Sequence, residues 1–190
     1  MAESQIHQYA KSKGFHPQTL ERWLGWDQSA REALLRLAED LKLGGSHVSD
    51  LMDWLEEIAL RDRLTIAAIL TSESITEVAS DPRLGRADKV KRVKEAIRRL
   101  RFPRLANTED SIRARIQELK LDPKIRLMAP PGLEGGRLRV ELSASTADEL
   151  KKLIDQVVAV RDSNTLREIF ALLAGETVDY RSKPDQFFSS

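Results

Sequence analysis

Nine lysines and arginines stand within nineteen residues, from Arg86 to Arg104 (RADKVKRVKEAIRRLRFPR), against two carboxylates, Asp88 and Glu95. The segment carries +7 in a chain whose net charge is +1. Residues 1–85 hold nine cations and fourteen carboxylates, and residues 105–190 hold thirteen and fourteen, so the positive charge is local. Ammonium and guanidinium groups at this density suit phosphate, a nucleic acid or an acidic protein surface. Val90, Val93, Ile97 and Leu100 recur at helical spacing and form one apolar stripe. Lys91, Arg92, Arg98 and Arg99 then lie on the opposite face, with Glu95 between them, and Lys94 and Arg101 lie on the flank. Pro103 stops the helix, because the residue before a proline is driven out of the helical region. Such a helix docks by its stripe and offers its charges to a polyanion, to an acidic partner or simply to water.

Other reactive residue types do not assemble into a catalytic pattern. His7, His16 and His47 are scattered, and no HExxH spacing occurs. Asp53, Glu56 and Glu57 share a helix, but bundle metal sites need carboxylate–histidine pairs from several helices, so these read as a solvated acidic face. Ser46, Ser72 and Ser74 lack a nucleophile-elbow context. The loop PPGLEGG, residues 130–136, has glycines but neither a following Lys-Ser/Thr nor a helix start, so it is a poor phosphate loop. The absence of cysteine excludes disulfides, thiolate metal sites and thiol nucleophiles. No catalytic residue, metal or cofactor is therefore expected, and the chain reads as a non-enzyme.

A second binding candidate lies near the N-terminus. Ile6 to Trp23 reads IHQYAKSKGFHPQTLERW and fits two short helices with Gly14 in the turn. A small residue, a glycine four positions later and three further apolar positions follow in order as Ala10, Gly14, Phe15, Leu20 and Trp23. Alanine permits close helix approach, glycine tolerates a positive φ, and Pro17 suits a first helical turn. This stretch resembles the helix-turn-helix of DNA-binding proteins, over about twenty residues, with one departure: Lys13 stands where that family usually has an apolar residue. The resemblance implies that Gln18, Thr19 and Arg22 project from the start of the second helix toward bases or phosphates. An ordinary helical hairpin fits the same residues.

A similar spacing recurs 28 residues later in Ala38, Leu41, Leu43, Val48 and Leu51, with Gly44 and Gly45 supplying the turn and Ser46 a cap. Its exposed positions, His47, Ser49, Asp50 and Asp53, are poor phosphate ligands, so this hairpin suits packing rather than DNA reading. Trp23, Trp26 and Trp54 read as core or half-buried, with Trp26 the one placed for base stacking.

The elements that must carry these residues follow from periodicity and caps. Five or six helices precede Pro103. Asn107 is expected to cap a helix from about 108 to 121. Ile125, Leu127, Ala129 and then Leu138, Val140, Leu142 alternate, which indicates a β-hairpin with Arg126, Arg137 and Arg139 on its polar face. TADE at 146–149 is a capping box for a helix buried by Leu150, Leu153, Ile154, Val157 and Val158. Ser163 caps a last helix whose stripe is Leu166, Ile169, Phe170 and Leu173, stopped by Gly175. The fold class is mainly α, with a small α+β C-terminal unit containing one β-hairpin. The expected organisation is a helical domain over 1–85, a basic helix and linker over 86–104, an α+β unit over 105–175 and a tail over 176–190 in which Phe187 and Phe188 could cover a surface.

With 41% apolar but only 5% aromatic residues, the core must be aliphatic. No run approaches the roughly 20 apolar residues that span a bilayer, and the N-terminus lacks a signal-peptide pattern, so a cytoplasmic protein without membrane contact is expected. The function these features favour is non-catalytic nucleic-acid binding, of duplex DNA in preference to RNA, within a larger assembly. The alternative is a protein–protein adaptor or scaffold subunit whose basic helix docks on an acidic partner, or a chain that self-associates.

Overall fold

A computed structural model of the chain describes residues 2–176. The tail expected over 176–190, with Phe187 and Phe188, lies outside the described residues from position 177 on. The described residues contain ten α-helices, one two-stranded hairpin and a short 3-10 turn (Pro131–Leu133) in the hairpin loop, so the fold is mainly α with a small C-terminal hairpin unit. The chain divides into two compact units, Met1–Pro103 and Arg104–Ser190.

The first unit holds α1 (Ala2–Lys13), α2 (Pro17–Leu24), α3 (Gln28–Leu41), α4 (Gly45–Asp62), α5 (Ile66–Leu70), α6 (Glu73–Ser80) and α7 (Arg86–Arg101). Local chemistry sets the helix starts. The Asp27 carboxylate accepts from the Ala30 amide at 2.9 Å, and the Thr65 hydroxyl from the Ala68 amide at 3.1 Å. One continuous core runs through Trp23, Leu34, Leu41, Leu55, Ile58 and Ile97, each 2% exposed or less. The sequence pattern makes the basic segment a boundary helix with linker. Instead α7 is part of this core, because its stripe buries Val93 and Ile97.

Gly14 turns the chain between α1 and α2 with φ of +64°, and Ala10 is buried at the contact. Tyr9 ties this corner to the rest. Its hydroxyl lies 2.6 Å from the Ala38 carbonyl oxygen and 2.8 Å from that of Leu43, so it serves acceptors at the C-terminal end of α3. Burial pushes the phenol pKa up, which keeps the donor protonated. Phe15 stacks on Trp23 at 6.1 Å between ring centres, and Tyr9 meets both rings edge-on. The turn between α3 and α4 differs from expectation. Lys42, not a glycine, takes the left-handed conformation at φ of +51°; Gly44 is the N-cap, and Ser46 lies inside α4. Glycine eases a close approach there: a Cβ on Gly45 would stand 3.3 Å from the Phe15 ring.

The second unit carries α8 (Pro103–Glu118), β1 (Ile125–Met128), β2 (Arg139–Leu142), α9 (Ala147–Val160) and α10 (Asn164–Leu173). Asn107 is not the cap of α8 but lies within it. A proline needs no N–H in a first turn, so Pro103 ends one helix and begins the next. The strands pair antiparallel with Ile125 opposite Leu142 and Leu127 opposite Val140. Thr146 caps α9 by accepting from the Glu149 amide at 3.2 Å, while the Glu149 carboxylate reaches back to the Ser145 amide at 2.6 Å. Ile112, Ile169 and Leu173 form a small core that Ile116, Leu133, Leu138 and Leu166 border. α9 is less covered than its pattern suggests. Leu153 is buried, but Leu150, Ile154 and Val158 are 41%, 44% and 48% exposed.

Ala10 tests the packing at the α1–α2 corner. Ala10→Leu should overpack a site that is 2% exposed and lower the unfolding free energy by about 1–3 kcal/mol, read by urea denaturation.

Candidate nucleic-acid interface

Three of the candidate cations, Arg22, Lys94 and Arg101, converge on α4, and α4 is acidic. Two flanks of that helix carry the charge. Asp50, Trp54, Glu57 and Arg61 form one flank; Asp53 and Glu56 form the other. Between them Val48, Leu51, Leu55 and Ile58 face the core.

α7 docks on the first flank. Lys94 Nζ lies 3.0 Å from the Asp50 carboxylate, and Arg101 lies 2.7 Å from Glu57. The Trp54 ring lies within reach of both cations, 5.7 Å from the Lys94 ammonium and 5.9 Å from the Arg101 guanidinium. Arg61 closes the end of the seam. It donates to the Leu100 carbonyl oxygen at 2.6 Å and to that of Arg101, so a cation meets the negative end of α7.

α2 docks on the second flank. Arg22 donates through Nε and Nη2 to the two Glu56 oxygens at 2.9 and 2.7 Å, and through Nη1 to Asp53 at 2.6 Å. The Trp26 indole N–H donates to the same Glu56 at 2.8 Å. A bidentate guanidinium–carboxylate pair is among the stronger charge-assisted contacts. The Arg22 hydrogen bonds hold the Glu56 carboxyl below its usual range, against the upward push of burial, and the carboxylates hold Arg22 firmly protonated. Asp53, Glu56 and Glu57 keep the solvent-facing positions their sequence suggested, with side chains 60%, 39% and 47% exposed, and each also pairs with a cation of a neighbouring helix. Trp26 spends its indole N–H on Glu56 and is half-buried against the core, which leaves little of it for base stacking.

The sequence-derived site residues thus fall into two groups. Arg22, Lys94 and Arg101 bind carboxylates of α4. Gln18, Lys91 and Arg92 are exposed, and Thr19 is half-buried at the start of α2. Arg98 pairs with Glu95 one turn earlier on α7 at 2.7 Å, and Arg99 is half-buried with contacts of its own. Arg92 borders an open depression lined also by Glu77, Asp81 and Arg83; Asp81 is drawn down to a pKa of about 2, chiefly by the Arg83 guanidinium. Sequence reasoning missed Asp50, Trp54 and Arg61 as partners of the basic helix. The available sign was a match of spacing: acids at 50 and 57 on one helix, cations at 94 and 101 on another.

Among the described residues no three His, Asp or Glu side chains gather to hold a metal ion, and no helix is long and apolar enough to cross a membrane. Compared with family models, with curated proteins and with solved structures, the chain matches none of them.

The Arg22 clamp makes a pH prediction. A carboxyl whose folded pKa is depressed contributes stability that is complete above the ordinary glutamate range, about 4.3, and is lost as pH falls through the lower folded value. Glu56→Gln should therefore destabilise the chain at pH 7 and flatten its loss of stability in acid, read as thermal midpoint against pH. Arg22→Ala should cost roughly 1 kcal/mol at neutral pH, and its effect should be non-additive with Glu56→Gln in a double-mutant cycle.

Proposed function

We propose that this chain is a non-catalytic nucleic-acid-binding protein, with duplex DNA its preferred ligand, that works within a larger assembly. The observation that carries the reading is the outer face of α7. With Lys94 and Arg101 engaged by α4, the exposed Lys91 and Arg92 still point away from the core, followed along the helix by Arg98 and Arg99. A buried stripe on one side and cations on the other fit phosphate contact, which positions a protein on a duplex without reading its sequence. The preference for DNA comes from the resemblance of residues 6–23 to a helix-turn-helix. The same resemblance makes Gln18 and Thr19, at the start of α2, the base-reading groups of this proposal, and Arg22 acts as the strut that holds α2 on α4.

A second reading has its own support. α7 already binds a carboxylate-bearing helix inside this unit, through Lys94–Asp50 and Arg101–Glu57. Its outer cations suit the same chemistry on an acidic partner protein, which would make the chain an adaptor.

Salt titration of binding to duplex DNA, single-stranded DNA and RNA separates these readings. For nucleic acid, affinity should fall steeply with salt. Replacing Lys91 and Arg92 by glutamine should lower the log–log slope by about 0.9 for each phosphate no longer neutralised. Arg98→Gln and Arg99→Gln should weaken binding further on every sequence. Lys94→Gln and Arg101→Gln should instead lower the thermal midpoint. Binding unchanged by the Lys91 and Arg92 replacements would remove the nucleic-acid role from α7 and leave the adaptor reading.

The α2 contribution has a separate test. Thr19→Ala should weaken binding to one preferred duplex by about 1–3 kcal/mol while leaving other duplexes unaffected. An equal weakening on all duplexes would mean phosphate contact, and no change would leave residues 17–24 as a structural hairpin only.

A further inference from the structure

α9 presents an apolar row to solvent. Leu150, Ile154 and Val158 stand four residues apart, are 41%, 44% and 48% exposed, and form one i, i+4, i+8 ridge. The row lies beside the face that α9 turns inward through Leu153, which is 3% exposed. Val140 of β2 and Phe170 of α10 are 48% and 49% exposed. With Val157 and Val160 of α9 they line a cavity of about 120 Å³, so the inner packing here is loose.

We infer that this ridge is the contact between two copies of the chain, with two α9 helices crossing antiparallel about a two-fold axis through Ile154. Symmetry and charge select this occupant. Read backward from Ile154, the ridge repeats itself: Leu150 of one copy meets Val158 of the other, and Ile154 meets Ile154. On one flank of the ridge stand Lys151, three residues before the centre, and Asp155, one residue after it. Both are exposed, and no ion pair joins them within the helix among the described residues. A two-fold axis keeps each flank beside its own copy, so Lys151 of each chain faces Asp155 of the other. A parallel pairing, about an axis along the helices, would set this flank against the opposite flank of the other copy and lose the Lys151–Asp155 match. The antiparallel pairing also opposes the helix dipoles, and an isologous contact of this kind closes at two subunits.

The second copy supplies what this unit lacks. A lone two-stranded ribbon over a small core is marginal, and cover on α9 removes three large aliphatic side chains from water. The contact lies in the second unit and does not depend on nucleic-acid binding by α7, so either reading can fail without the other.

Sedimentation equilibrium of the full chain, from low micromolar to submillimolar concentration, tests the dimer. Twice the 21.5 kDa monomer mass is expected at the upper end. Ile154→Asp should leave the mass monomeric throughout. Lys151→Glu or Asp155→Lys alone should raise the dimer dissociation constant about fivefold or more, because each sets like charges together across the axis. The combined variant Lys151→Glu/Asp155→Lys should restore the original constant, and circular dichroism should show the same helicity in every variant. A monomer at all concentrations overturns the proposal, whether residues 177–190 or an unlike protein then proves to cover the ridge. A dimer indifferent to Ile154→Asp, or a charge reversal that the second reversal does not rescue, overturns it as well.

Discussion

The first unit depends on one helix that is charged on both flanks and apolar between them. α4 buries Leu51, Leu55 and Ile58, each 1% exposed or less, in the main core, and its carboxylates catch a cation from each neighbour. Burial supplies most of the energy, since each aliphatic side chain removed from water contributes about 1.5–3 kcal/mol. The half-exposed ion pairs each contribute roughly 1 kcal/mol or less, but they are directional. Arg22, Lys94 and Arg101 therefore choose the register in which α2 and α7 lie on α4. Apolar stripes alone would tolerate a slip along the groove; a guanidinium matched to one carboxylate does not.

This division of labour changes how a strongly basic segment is understood. A charge of +7 on nineteen residues suggests a surface built for a polyanion. Part of that charge answers the acidity of the preceding 85 residues, whose fourteen carboxylates outnumber nine cations. Lys94 and Arg101 neutralise α4 and frame Trp54, and Arg61 caps α7 in return. What faces outward is smaller in charge and more sharply placed, chiefly Lys91 and Arg92. Any polyanion must meet α7 from the side opposite α4. Asp81 and Glu77 beside Arg92 limit the approach further.

The second unit is held by weaker means. Its fully buried residues are few, its hairpin has two strands of four residues each, and its best helix leaves an aliphatic ridge in water. Local chemistry carries much of the definition. Thr146 and Glu149 start α9, Ser163 starts α10, and Arg115 ties α8 to α10 through Glu168 at 2.6 Å. Caps define where helices begin but contribute little to cooperativity. A unit so built has a physical incentive for association, and the ridge on α9 is where the area is available.

The amino-acid sequence by itself determined what is local. Helical periodicity placed the helices, the capping residues Asp27, Thr65, Thr146 and Ser163 lie where helices start, and alternation at 125–129 and 138–142 marked the hairpin. These features involve residues close along the chain, and their energetics depend little on what lies opposite. The tertiary structure decided the rest. It decided that Lys94 and Arg101 face α4 while Lys91 and Arg92 do not, because pairing depends on which helix faces which, over separations of 44 residues. It made the solvent-facing Asp53 and Glu56 partners of Arg22, for the same reason. It also left Leu150, Ile154 and Val158 exposed on a helix whose pattern implied burial. An apolar stripe states only that a helix has something to bury; the area available opposite it sets how much of that stripe leaves water.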